Sequence, residues 1–132
     1  MSNRNETFCT HVGCMDGRVQ EVVARYAKEK FCVQFVDTIT EPGVDGLLAK
    51  ADSESDLYKS VKLKIEISTN NHHSCGIIVE GHEECAGNPS DRQQHLKDIR
   101  ESVEKIKEMV GGSLTVQGVY VTLRPESRVE EV

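Results

Sequence analysis

At 132 residues and 14.7 kDa the chain has the size of one domain, given roughly 100–200 residues per domain, and no apolar run approaches the ~20 residues that span a bilayer. With 37% hydrophobic and 29% charged residues, it has the composition of a folded domain rather than a disordered tail. The formal charge of −6 argues against the clustered basic surface that a nucleic-acid partner requires.

Residues 1–6 are polar and expected to fray. Residues 7–13 read as a short strand, with Phe8, Thr10 and Val12 alternating against Cys9, His11 and Gly13. Over residues 18–30, Val19, Val22, Val23, Tyr26 and Ala27 keep helical spacing. A β-rich stretch at 31–40 ends at the breaker Pro42-Gly43. Strand, helix and strand in this order predict a right-handed βαβ unit. A short helix is expected at 44–51, and Ser53 or Ser55 is positioned to cap another. Leu57, Val61 and Ile65 suit that helix, although Val61, Leu63, Ile65 and Ile67 also alternate as a strand would. Helix is preferred, because residues 74–80 follow closely as a stronger strand, after a break at Asn70-Asn71. Asn88-Pro89 reads as a cap and first position for a helix carrying Leu96, Ile99, Val103, Ile106 and Val110, stopped by Gly111-Gly112. Residues 113–123 are the final strand expected, and 124–132 an arm or strand extension. The predicted fold class is α/β: one domain with a mainly parallel sheet of four to five strands flanked by helices.

The chain has five cysteines, an odd number, and no signal-like apolar region follows Met1. A cytoplasmic setting is expected, where disulfides do not persist and cysteines serve as small buried residues or metal ligands. In α/β sheets ligands gather beyond the carboxyl ends of strands. Cys14, at the end of the first strand, and His82 and Cys85, at the end of the third, can converge there if those strands are neighbours. Two thiolates and one imidazole are donors that Zn²⁺ prefers, with a fourth position left open. Taken singly, each cysteine reads more readily as a buried apolar residue. Asp16 lies close enough to accept a hydrogen bond at such a site or to ligate the metal, and Arg18 can hold it in a bidentate pair. The plainer alternative for those two is a solvated ion pair.

The paired motif Cys14-x-Asp16-x-Arg18 and His82-x-x-Cys85 resembles that of the β-class carbonic anhydrases. The likeness extends through residues 76–87 and the Val-x-Gly-x-Tyr of the last strand. It implies zinc held by Cys14, His82 and Cys85, Asp16 as the carboxylate that orients the nucleophile, and Arg18 as its partner. The implied reaction is reversible hydration of CO₂ to bicarbonate by a metal-bound hydroxide, in a homodimer or higher homo-oligomer. Gly17 stands where the family has a small polar residue, Ala86 replaces a glycine, and Thr40-Glu41-Pro42-Gly43 replaces an Arg-Asn-Ala-Gly-like turn. Glu41 would repel bicarbonate if it pointed into the site.

Other functional readings are hydrolysis of COS or CS₂, or a zinc protein without turnover in a structural or regulatory role. No glycine-rich nucleotide loop follows any strand. Cys9, Cys32 and Cys75 are expected to pack in the sheet, His72-His73 to lie in a solvated turn, and His95 to sit on a helix surface or flank. Glu83 and Glu84 are expected to be solvent-exposed.

Overall fold

The computed structural model describes residues 5–132, so the expected fraying of residues 1–6 falls largely outside it. The elements are β1 (Phe8–Gly13), α1 (Gly17–Phe31), β2 (Phe35–Thr40), α2 (Val44–Lys50), α3 (Asp56–Asn71), β3 (Gly76–His82), α4 (Arg92–Val110), β4 (Thr115–Thr122) and β5 (Arg128–Glu131). They form a five-stranded sheet in the order β2-β1-β3-β4-β5, parallel except for β5. The α/β expectation holds, and residues 124–132 supply a fifth strand that pairs antiparallel with β4.

Both sheet faces are covered. Val19, Val23 and Ala27 of α1 meet Cys9, Ile78, Val119 and Val121 on one face. On the other, Leu48 of α2, Val61 and Ile65 of α3 and Ile106 of α4 meet Val12, Ile77 and Val79. Each such side chain contributes roughly 1.5–3 kcal/mol when fully buried. β1 and β3, two of the three inner strands, are buried from both sides, which explains why their sequences carry little polar alternation. The period-two reading of 61–67 fails because α3 buries Val61 and Ile65 while Leu63 and Ile67 face outward.

Four local expectations are corrected. The last helix starts at Arg92, where Asp91 accepts the Gln94 N–H at 2.9 Å, because Asn88 turns its amide into a buried cluster instead of capping. His95 is fully buried rather than on a helix surface. Cys32 and Cys75 are exposed, whereas Cys9 is in the core. Cys32 is the left-handed cap of α1 (φ 53°), and both exposed cysteines precede the strands expected to hold them. His72 is only partly solvated: its Nδ1 lies 2.7 Å from Asp37 and its ring stacks on Phe8.

Candidate metal centre

The chain leaves β1 toward β2 on one side and later returns past it to β3 on the other, so β1 and β3 are adjacent strands whose connections cover opposite faces. Such a reversal opens a crevice at the carboxyl ends of the two strands. Cys14 directly follows β1, His82 is the last residue of β3, and Cys85 lies in the loop beyond it.

The three side chains meet. Cys14 Sγ, a His82 ring nitrogen and Cys85 Sγ all lie within 4.8 Å of one another, and all three residues are buried. The sulfurs are 3.9 Å apart, well beyond the ~2.05 Å of a disulfide. Two sulfurs each ~2.3 Å from a tetrahedral zinc would stand about 3.8 Å apart, so the spacing fits that ion. His82 Nδ1 lies 2.7 Å from the Glu83 carbonyl. Because a carbonyl only accepts, Nδ1 carries the proton and Nε2 keeps a free lone pair. That Nε2 is buried without a hydrogen-bond partner, the usual sign of a group built to bind something else. Burial, followed by the neighbouring Cys14, pushes the Cys85 thiol up from its ordinary value, while backbone N–H groups of Asn88 and Gly87 favour its thiolate. A divalent cation would reverse the balance.

Asp16 caps α1, its Oδ1 accepting the Arg18 N–H at 2.9 Å. The Arg18 guanidinium grips both carboxylate oxygens, at 3.1 and 2.7 Å. These bonds hold the Asp16 carboxyl at about 2, and Asp16 Oδ2 lies 3.9 Å from His82 Nε2. Arg18 also donates to Glu84 Oε1 at 3.1 Å, and Glu84 takes a fork from Arg124. Glu84 is exposed but engaged, while Glu83 Oε1 accepts the N–H groups of Leu123 and Arg124 at 2.8 and 3.1 Å. These two acids thus pin the segment after β4 to the loop carrying Cys85.

A family model described as "Putative carbonic anhydrase" matches residues 4–132. The chain belongs to this carbonic anhydrase family. Among solved structures, the β-carbonic anhydrase CafA of the fungal pathogen Aspergillus fumigatus shares 16% identity at a TM-score of 0.52, over 96% of this chain and 75% of that one. One of two tetrameric β-carbonic anhydrases from the filamentous ascomycete Sordaria macrospora shares 15% identity at a TM-score of 0.46, over 96% and 80%. No curated protein matches the sequence. At such identities the first likeness shows the fold.

In this chain several polar residues around the site escape sequence reasoning. Glu80 is fully buried in β3; its Oε1 accepts the Cys14 N–H at 3.2 Å and lies 3.0 Å from His11 Nε2. Gly43, of the divergent turn, donates its N–H to Cys14 Sγ at 3.4 Å. The Glu41 N–H bonds to the Gly13 carbonyl at 3.2 Å, which ties the same turn to the end of β1. Asp45, Asn88, His95 and Asp98 form a further buried cluster beside the Cys85 loop. The one available signal was an acid within an apolar run, as at Glu80 and Asp45. It says that a partner is needed, not which one.

Proposed function

We propose that the chain catalyses the reversible hydration of CO₂ to bicarbonate and a proton, with zinc held by Cys14, His82 and Cys85. The observation that carries this reading is the unpartnered, buried His82 Nε2 grouped with two buried thiols beside an ionised carboxylate. Bound there, zinc would act as a Lewis acid and lower the pKa of a water toward ~7. Asp16 remains ionised at neutral pH and can only accept, so a water hydrogen-bonded to it turns a lone pair elsewhere, toward the carbon to be attacked. Arg18 keeps the carboxylate in that orientation, and Glu84, itself held by Arg124, holds Arg18 in turn.

The same reading makes the protein a homo-oligomer. Met15 beside Cys14, Leu47 of α2 and Phe35 of edge strand β2 are exposed apolar side chains that a second copy could cover. It also places the protein in a reducing, cytoplasmic setting, since all five cysteines are free and two of them are needed as thiolates. No helix among the described residues is long and apolar enough to cross a membrane.

The test is stopped-flow CO₂ hydration by zinc-loaded protein at a pH of about 8.5, where water on the metal would be ionised. Acceleration that disappears with the zinc in Cys85→Ser or His82→Ala supports the assignment, because two remaining ligands rarely hold zinc. Protein carrying one zinc per chain but no acceleration overturns it, and COS and CS₂ then become the substrates to assay.

A further inference from the structure

Asp45 is a carboxylate with 1% of its surface exposed, on a helix that contributes no candidate ligand. Its Oδ2 lies 2.7 Å from His95 Nδ1, and its Oδ1 accepts the Asn88 amide at 3.1 Å. The Asn88 amide also reaches Asp98 Oδ2 at 3.0 Å, and Ser102 Oγ donates to the Asp45 carbonyl at 2.9 Å. A buried polar group is retained only where such partners satisfy it, and these tie α2 to α4 and to the loop carrying Asn88.

The position of this cluster gives it a consequence for the metal centre. Two residues before Asp45, Gly43 directs its N–H at Cys14 Sγ. Asn88 and Gly87 lie in the loop that carries Cys85, within three residues of it. These two turns press backbone to backbone: a Cβ on Gly43 (φ 60°) would stand 2.6 Å from Asn88 N, and one on Gly87 would stand 2.7 Å from Gly43 N. On the sheet side the Asp45 carboxylate fills the space that a side chain on Gly81, next to His82, would need. Asp45 therefore borders backbone segments that flank each of the three candidate ligands.

We propose that Asp45 is a positioning residue for the metal centre: by holding Asn88 and His95 it locks the Gly43 turn, whose N–H meets the Cys14 sulfur, against the Asn88 turn that follows Cys85. The proposal rests on the reading of Cys14, His82 and Cys85 as zinc ligands. It also gives the divergent Glu41-Pro42-Gly43 turn a role, since that turn and Asp45 act as one unit.

The experiment measures zinc affinity by competition with a chromophoric chelator, and the absorption of the Co²⁺-substituted protein, in the wild type, Asp45→Ala, Asp45→Asn and Ile106→Val. Asp45→Ala is expected to weaken zinc binding about 10–100-fold, as loss of a group orienting the ligands does, and to shift the thiolate-to-cobalt bands. Asp45→Asn keeps one acceptor oxygen for Asn88 and should fall in between. Ile106→Val thins the core away from the site and should leave affinity and spectrum unchanged, which separates positioning from general stability. Wild-type zinc affinity and cobalt bands in Asp45→Ala, or in Asp45→Asn if the alanine variant does not fold, would overturn the positioning role alone. A wild-type chain that takes up neither ion overturns the metal reading together with it.

Discussion

Asp16 shows how a short sequence motif becomes a directional group. Its spacing from Arg18 permits a two-residue side-chain fork, and its place at the start of α1 adds a backbone N–H. All three bonds favour the charged form and hold the carboxyl at about 2. Asp16→Asn removes the charge while leaving the candidate ligands in place. We expect zinc content to stay at the wild-type level while CO₂ hydration falls about 10²-fold, the low end of what a proton-accepting group contributes. Metal analysis alongside stopped-flow rates checks this, and an undiminished rate would remove Asp16 from the mechanism.

Among the elements, α4 packs tightly onto the sheet at Gly118. Ile99 and Val103 lie over Gly118 of β4, and a Cβ at Gly118 would stand 2.7 Å from Ile99 Cγ2 and 3.2 Å from Val103 Cγ2. Gly118→Ala must therefore push α4 outward or force a rotamer, at a cost of about 1–3 kcal/mol. The expected result is a lower denaturation midpoint with zinc stoichiometry retained, because Gly118 pairs with Val79, short of the ligand-bearing end of β3. An unchanged midpoint would show that α4 yields without cost. The expected cap at Asn88 failed at this same scale: an Asn-Pro pair ahead of an amphipathic stripe signals a helix start, but Asn88 has stronger partners in Asp45 and Asp98.

Across the whole molecule, the buried His95–Asp45 pair links stability to pH. Burial favours the neutral imidazole, but the hydrogen bond and charge of Asp45, aided by Asp98, outweigh it and raise the His95 pKa. His95 is faced by Asp45 from α2, Asp98 from its own helix, Asn88 from the loop and Tyr120 from β4. A group whose pKa is raised on folding stabilises the fold fully below its unfolded value, near 6.5 for histidine. That contribution is lost as pH rises through the higher folded value, because there the folded state binds more protons than the unfolded one. Urea midpoints measured from pH 6 to pH 9 (a range of about three units around the histidine value) should fall, and His95→Gln should flatten that slope. An identical slope in the variant would assign the dependence to other groups.

Features that depend on local spacing were legible in the chain alone: the alternation of strands and helices, the helical period of α1 and α4, and thiols and an imidazole at or just past the ends of two strands. Those patterns are legible because hydrophobic periodicity and strand-end chemistry are written within a few residues of each other. That β1 and β3 are neighbours, which brings Cys14 to His82 and Cys85 across more than sixty positions of chain, emerges from the folded arrangement. That arrangement alone showed that His95, Asp45, Glu80 and Asn88 are interior residues and that residues 128–131 close the sheet. For a polar side chain, burial follows from whether a distant partner offsets the loss of water, and that partner has no fixed distance along the chain.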